Sequence, residues 1–340
     1  MEQIEPGLAR LVSELLYEKG YHLVIPSAQG RGIDGRGEFG ISIKVAGTEK
    51  TRRVDVVAAR WDDEQDIRAI AVECKGTVWA VYDGLGQAVQ YQSLFDEVYV
   101  ATPATVGVDS ISRPTLVDLG LGHIEVDEDA AEAYVSVVPH AQRPSRFEPH
   151  LKAREITPRL ALGLTFLEIK PAGRPLRYGF SKDGLSVWYA EEVAGHLQWN
   201  CGFDYPSDER GAHEMYMGIN VERTEDVKRI CGAISAERLQ NAFTALSSEY
   251  SIEVWYRPTP PTAKEGHKKQ ISETARTAVA DLVIRQLKQC PAKYRPSLWL
   301  GLWFERQAWQ AFTRPEYRDR LGQIRRDLGP IMAVLEECYG

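Results

Sequence analysis

Residues 52–75 constrain the fold of this chain more than any other stretch of the sequence. Both ends of the stretch are short apolar runs and its middle is polar, a pattern that predicts two strands joined as a hairpin. Asp55 lies in the first run, and Glu73 and Lys75 lie in the second. Because side chains alternate across a strand, Glu73 and Lys75 share one face and Cys74 points to the other. Charges among valine, isoleucine and alanine must be paired or must bind a metal ion, so the stretch predicts a functional site.

The composition, with 44% hydrophobic and 26% charged residues, is typical of a soluble globular protein, and 340 residues favour two domains. No apolar run approaches the ~20 residues that span a bilayer, and we expect no membrane partner. The N-terminus shows no secretory signal. The five cysteines are scattered without a CxxC pair, which argues against a zinc knuckle or a disulfide scaffold and favours the cytoplasm.

The formal net charge of −7 does not by itself indicate a nucleic-acid-binding protein. The charge is unevenly distributed, however. Residues 1–150 contain 14 Lys or Arg and 24 Asp or Glu, a net −10, whereas residues 268–327 contain 13 and 6, a net +7. A basic segment therefore lies in the C-terminal half of an acidic chain.

The first 130 residues follow an order of helices and strands that predicts an α/β sandwich with a central mixed sheet flanked by helices. Each predicted helix can cover one face of the sheet. The predicted elements are a helix at 5–19, strands at 21–25 and 39–45, the hairpin of 52–75, a helix at 82–94, a strand at 97–102, a helix at 110–119 and a strand at 122–126.

Composition divides the remainder into a linker at 131–150, an α+β region of unassigned role at 151–257, a second linker at 258–269, and a mainly helical segment at 270–340. This last segment is basic and rich in aromatic residues. Three helices are predicted in it, at about 270–289, 297–313 and 316–338. The spacing of its aromatic residues Trp299, Trp303 and Phe304 favours core packing on a helix over base stacking.

The charged residues of the hairpin suit metal-dependent hydrolysis of a phosphodiester. Such a reaction needs an activated water and neutralisation of the charge on phosphorus, and Mg²⁺, with oxygen ligands, can supply both. Asp55 and Glu73 would be the ligands, with the backbone carbonyl of Cys74 as a third. Lys75 would orient the attacking water or stabilise the developing negative charge. We therefore expect Mg²⁺ as the cofactor, with Mn²⁺ as a substitute.

Asp55, followed after seventeen residues by Glu73-Cys74-Lys75 on a neighbouring strand, resembles the PD-(D/E)xK nuclease superfamily, which includes restriction endonucleases. Val54 stands where the family has its proline. On the next predicted helix, Gln87 and Tyr91 resemble the QxxxY motif of RecB-like nucleases, where the pair supports the site or the DNA. The resemblance covers roughly residues 5–130 and implies a restriction-endonuclease-like core.

The family's first helix often contributes a glutamate to the site, and the resemblance identifies Glu14 as the candidate here. Glu5 and Glu18 are substitutes for this role. A solvent-exposed position on the helix is the competing interpretation of Glu14.

The resemblance implies an endonuclease acting on DNA, with RNA not excluded, in restriction and phage defence or in repair and recombination. Double-strand cutting needs two active sites, so a homodimer is expected. In the basic segment, Lys268, Lys269, Arg325 and Arg326 are candidates for contacts with the nucleic-acid backbone. Two alternatives remain open: a catalytically inactive nuclease-fold module that binds DNA or a protein, and an interaction protein whose charged hairpin is accidental.

Overall fold

The structure of the protein is a computed structural model that describes residues 4–26, 39–45, 48–64, 66–106, 112–139, 147–181, 184–204, 214–258, 268–273, 279–305 and 312–340. The chain divides into two compact units. Unit 1 consists of residues 1–168, 178–187 and 310–315, and unit 2 of residues 169–177, 188–309 and 316–340.

The described residues form helices and strands throughout both units. The helices are α1 Ile4–Glu18, α2 Val78–Tyr91, α3 Ser112–Leu119, α4 Pro149–Glu155, α5 Thr157–Ile169, α6 Thr224–Ala233, α7 Ala236–Thr244, α8 Val279–Lys288 and α9 Arg314–Glu336, with a final 3₁₀ turn at Glu337–Tyr339. The strands are β1 Leu23–Pro26, β2 Phe39–Val45, β3 Thr48–Val54, β4 Val56–Trp61, β5 Ile67–Cys74, β6 Glu97–Pro103, β7 Gly122–Asp127, β8 Glu132–Val137, β9 Arg177–Phe180, β10 Val187–Ala194, β11 Leu197–Asp204, β12 Glu214–Val221, β13 Ser251–Pro258, β14 Lys268–Glu273 and β15 Tyr294–Glu305.

The main sheet of unit 1 is mixed, as the sequence predicts. Its strand order is β1-β4-β5-β6-β7-β8. The central strands β5, β6 and β7 are parallel to one another, whereas the pairs β1–β4, β4–β5 and β7–β8 are antiparallel. The central position of β5 explains its nearly continuous apolar sequence, because six of its eight residues, 69–74, are buried in succession.

Helix α1 covers one face of this sheet through the amphipathic pattern that predicted it. Leu8, Leu11, Val12 and Leu16 are buried in a core cluster that includes the side chain of Cys74. Gly20 follows the helix with a φ of 82°, a left-handed conformation that a residue without a Cβ adopts readily. The cluster fixes which face of β5 is turned toward α1.

The predicted first strand of the hairpin is interrupted at Asp55. Residues up to Val54 belong to β3, which pairs with β2, and the chain bends at Asp55 before β4 begins at Val56. Strand β4 then pairs with β5 through the short connection at 62–66, so the predicted hairpin is confirmed. The bend places a carboxylate at the junction of two strand pairs.

The predicted boundary at residue 130 is wrong, because the main sheet continues into the expected linker of 131–150 as strand β8. The acidic run before β8 forms the turn of a hairpin, in which the Asp127 carboxylate accepts the backbone N–H groups of Asp129 and Ala130. Unit 1 continues to residue 168: the buried Lys152 of α4 lies 3.1 Å from Asp66 and 2.9 Å from Asp96.

The expected separation of 151–257 from 270–340 is also wrong, since both contribute strands to one sheet in unit 2. Part of its strand order is β14-β13-β15-β12-β11-β10. The predicted linker 258–269 connects the paired strands β13 and β14, and its residues 259–267 lie outside the described residues. The helix predicted at 297–313 is instead strand β15 as far as residue 305, whereas the helix predicted at 316–338 is present as α9.

The aromatic residues of β15 follow strand geometry. Trp299 and Trp303 lie on the same face of the strand with ring centroids 4.9 Å apart. Trp299 is buried, as predicted, whereas Trp303 and Phe304 are half-buried. A run of apolar residues this long fits a buried strand or a buried helix, and periodicity alone does not separate the two.

Candidate active site

The candidate active site lies where β3, β4 and β5 of unit 1 meet. In the β4–β5 pair, Val56 is opposite Val72, and this register brings Asp55 beside the end of β5 that carries Glu73. The Asp55 carboxylate accepts a hydrogen bond from the backbone N–H of Cys74 at 2.7 Å. The sheet register, followed by one hydrogen bond, therefore holds the first carboxylate against the second strand.

Glu73 and Lys75 form an ion pair on this face, with the Lys75 ammonium nitrogen 2.6 Å from Glu73 Oε1. The Glu73 side chain is 2% exposed and that of Lys75 is 14% exposed. The Cys74 side chain lies on the opposite face, in the core under α1, as alternation predicts. A carboxylate buried to this degree requires such a partner.

Tyr91, at the end of α2, completes the cluster. Its hydroxyl oxygen lies 2.9 Å from Glu73 Oε2 and 2.8 Å from the backbone carbonyl oxygen of Arg53. A phenol has one proton and donates to one of these oxygens at a time. Burial, and then the charge of Glu73, raises the pKa of Tyr91 far above its ordinary value, so the hydroxyl remains a donor at neutral pH.

Asp55 also contributes to the raised pKa of Tyr91, and Arg52 opposes it. The charges of Asp55 and Glu73 therefore both act at the same hydroxyl group. Two carboxylates, one ammonium group and one phenol thus converge at a single end of the central strands. Sequence reasoning predicted the first three as the catalytic residues and Tyr91 as their support.

Sequence reasoning did not identify Gly84 of α2, which provides room for Lys75. A Cβ atom at Gly84 would lie 2.8 Å from Lys75 Cγ and 3.1 Å from its Cε. The aliphatic part of the lysine therefore runs directly over the helix backbone. A glycine inside the helix predicted to follow the Asp…Glu-x-Lys pattern is the signal that could have identified this position.

The other predicted supporting residues are not among the described contacts of the cluster. Gln87 is half-buried one turn before Tyr91 and makes none of the described hydrogen bonds to Asp55, Glu73 or Lys75. Glu14 is exposed on α1 and forms an ion pair with Arg10 at 2.7 Å, which agrees with the competing interpretation of a solvent-exposed face. Its substitute Glu18 is exposed as well.

The basic residues predicted to contact nucleic acid have different environments. Arg325 is 16% exposed and lies 2.5 Å from the fully buried Glu191, so its charge is already compensated. Arg326 is exposed and donates to Gln323 at 2.8 Å. Lys268 and Lys269 begin strand β14, and their side chains, like that of Glu5, lie outside the described residues.

Comparisons with known proteins do not identify a family. No family model matches the chain, and no curated protein matches it. Among solved structures, an XisH family protein from Nostoc punctiforme is 15% identical, with a TM-score of 0.26, and an fdxN element excision controlling factor protein from Anabaena variabilis is 14% identical, with a TM-score of 0.27. Each likeness covers 38% of this chain and 96% of the other.

The donor set of the cluster fits Mg²⁺. Asp55, Glu73 and the Cys74 carbonyl offer hard oxygen atoms of the kind that Mg²⁺ prefers. Within the described part of the chain, no group of three or more His, Cys, Asp or Glu side chains could hold a metal ion. Magnesium is commonly bound by one or two carboxylates, with water and substrate phosphate completing its ligands, and the pair suits that mode.

His123 lies on β7 and makes none of the described hydrogen bonds to Asp55, Glu73 or Lys75. It is fully buried, lies 2.9 Å from the hydroxyl oxygen of Thr102 and is also bonded to the hydroxyl of Ser136. Burial lowers the pKa of His123 to about 4, so the ring is neutral at pH 7.

No helix in the described part of the chain is both long and apolar enough to cross a membrane.

Proposed function

We propose that unit 1 contains the active site of a Mg²⁺-dependent endonuclease that hydrolyses phosphodiester bonds in DNA. The observation that carries the proposal is the convergence of Asp55, Glu73 and Lys75 at one end of β4 and β5, with Lys75 and Glu73 2.6 Å apart. Two carboxylates and an ammonium group in a half-buried setting are the groups that phosphodiester hydrolysis requires.

Asp55, Glu73 and the Cys74 carbonyl would hold Mg²⁺, with Mn²⁺ as a substitute. Bound there, the ion would supply charge neutralisation at phosphorus and a lower pKa for the attacking water. The protein's own groups prepare this site. The Cys74 N–H orients the Asp55 carboxylate, and the Tyr91 hydroxyl orients that of Glu73.

Lys75 would act on the substrate itself. Its side chain is 14% exposed, so the ammonium group can reach a phosphoryl oxygen while the aliphatic part stays against Gly84. A positive charge fixed at this point stabilises the negative charge that develops on the phosphoryl group in the transition state. Restriction and phage defence, or repair and recombination, remains the predicted setting, and a homodimer the predicted assembly.

A second candidate function is a non-catalytic module that binds DNA or a protein. One observation favours it: Lys75 and Tyr91 already contact the two carboxylate oxygens of Glu73, at 2.6 and 2.9 Å. This arrangement compensates the charge of Glu73 without a metal ion. Both candidates predict nucleic-acid or partner binding, and only the first predicts hydrolysis.

The two candidates are separated by incubating the full chain with supercoiled plasmid, linear duplex and single-stranded DNA and RNA, in Mg²⁺, Mn²⁺ or EDTA. We expect metal-dependent cleavage that falls at least about 100-fold in Asp55→Ala and Lys75→Ala. Asp118→Ala and Lys19→Ala, which remove an exposed residue of the same type, should cleave like the wild type. Cleavage by Asp55→Ala and Lys75→Ala at the wild-type rate would refute the catalytic proposal. So would the absence of cleavage of any substrate by the wild type.

A further inference from the structure

Arg52, three residues before Asp55 in the chain, is a half-buried cation on strand β3. Its Nε donates a hydrogen bond to Gln90 Oε1 at 3.2 Å, and Gln90 immediately precedes Tyr91 on α2. Its charge lowers the pKa of Tyr91, so the guanidinium group lies within electrostatic range of the candidate active site. This places a positive charge at the edge of the carboxylate cluster.

Most N–H groups of the Arg52 guanidinium have no acceptor among the described residues. Among the described residues, no carboxylate lies within 4 Å of it, and its one hydrogen bond uses a single N–H of five. By contrast, Arg68 on strand β5 is ion-paired with Glu97. Half-buried arginine side chains are commonly paired with an anion, and none of the described residues supplies one to Arg52.

The position of Arg52 indicates which anion would bind. It is farther than ion-pair distance from Asp55 and Glu73, so it lies outside the reacting centre formed by the carboxylates. Residues 1–150 carry a net charge of −10, and a polyanion needs a local cation to approach them. The planar fork of a guanidinium group matches two oxygens of one phosphate.

We propose that Arg52, oriented by Gln90, binds a backbone phosphate of the nucleic acid next to the phosphate that is cleaved. The inference rests on the proposed function for its reference to cleavage. It assigns the substrate class as a polynucleotide that contributes at least two phosphates to the protein, rather than an isolated phosphodiester. Gln90 is a positioning residue, because it fixes the guanidinium and does not itself meet the phosphate.

The test has one arm without catalysis and one with it. In the first, the dissociation constant of a fluorescent duplex or single-stranded oligonucleotide is measured by anisotropy in EDTA, over a range of salt concentrations. We expect Arg52→Ala to weaken binding about 10-fold and to reduce the salt slope by about one. Arg52→Lys should be intermediate, and so should Gln90→Ala. Arg10→Ala removes an exposed, ion-paired arginine and should change binding less than about 2-fold.

In the second arm, Arg52→Ala should raise the KM for cleavage of an oligonucleotide. The rate of hydrolysis of bis(p-nitrophenyl) phosphate, which has one phosphate, should equal that of the wild type. Equal losses on both substrates would overturn the flanking position. Equal effects of Arg52→Ala and Arg10→Ala on binding, or no binding by the wild type, would overturn the phosphate site. If no protein cleaves and Arg52→Ala still weakens binding selectively, the proposed catalysis fails and the phosphate site stands. Circular dichroism should show all variants folded.

Discussion

Two buried carboxylates, one in each unit, belong to groups of side chains with opposite net formal charge. In unit 2, Glu191 is fully buried and contacts two arginines, Arg174 at 2.8 Å and Arg325 at 2.5 Å. In unit 1, Glu73 contacts one lysine, Lys75, at 2.6 Å. The formal charge of the Glu191 group is therefore +1. The Glu73 group becomes −1 once the neighbouring carboxylate of Asp55 is included.

This difference indicates which cluster is built for stability and which for chemistry. Two arginines around one carboxylate leave no place for a further cation, and the arrangement connects β10 to α9 within unit 2. Two carboxylates around one lysine retain a deficit of positive charge that a divalent cation would remove. Both groups combine acidic and basic side chains. The ratio of carboxylates to cations distinguishes the structural group around Glu191 from the candidate metal-binding group around Glu73.

The largest expected effect on stability comes from Glu191→Gln. The substitution keeps the shape of the side chain and leaves the two arginines facing each other without a negative charge, which should lower the free energy of unfolding of unit 2 by about 3–5 kcal/mol. Chemical denaturation followed by tryptophan fluorescence measures this, since six of the eight tryptophans lie in residues 188–309.

Glu192→Gln is the matched control for Glu191→Gln, because this adjacent residue is paired with the partly exposed Arg177 and is itself 22% exposed. Its loss should cost no more than about 1 kcal/mol. Similar losses for the two variants would show that the Glu191 group has no special structural role.

The same substitution at the other carboxylate, Glu73→Gln, should have the reverse profile. We expect cleavage to fall at least about 100-fold, because a metal ligand is lost. The stability of β5 should change by no more than about 1 kcal/mol, since Lys75 is partly exposed to solvent and the repulsion between the two carboxylates is removed. Hydrogen exchange of β5 peptides gives the local stability alongside the cleavage rate. A loss as large as that of Glu191→Gln would place Glu73 among the structural ion pairs.

Tyr91→Phe tests the support of Glu73 without changing any formal charge. The phenol donates to Glu73 or to the carbonyl of Arg53, and its loss frees the carboxylate to rotate. We expect cleavage to fall about 10- to 100-fold and still to require the metal ion, as is usual when a residue that orients a metal ligand is lost. The rate at saturating DNA and the Mg²⁺ titration measure the two quantities. A rate equal to the wild type would show that the hydroxyl serves packing alone.

The sequence predicted unit 1 better than unit 2 for a physical reason. Short apolar runs on either side of a polar turn specify β4 and β5, and side-chain alternation at the end of β5 places Glu73 and Lys75 on one face. Strand β15 contains an unbroken apolar run with no charged residue inside it, so the sequence predicts a helix there instead of a strand. Contacts between distant residues, such as Arg325 with Glu191, are not encoded in local spacing and were missed for that reason.

Gly84→Ala addresses the smallest feature of the active-site cluster, the space over α2 that Lys75 occupies. A methyl group would lie 2.8 Å from Lys75 Cγ, so the lysine side chain must shift from its present position. We expect a loss of about 1 kcal/mol in stability, partly offset by the higher helix propensity of alanine, and reduced cleavage. Gly86→Ala is the control in the same helix, because nothing lies within 4 Å of its added Cβ. That variant should gain about 0.5–1 kcal/mol and cleave normally. If both variants cleave alike, the placement of Lys75 does not depend on Gly84. If only Gly84→Ala loses activity, the lysine must hold its position over the helix for the cluster to act.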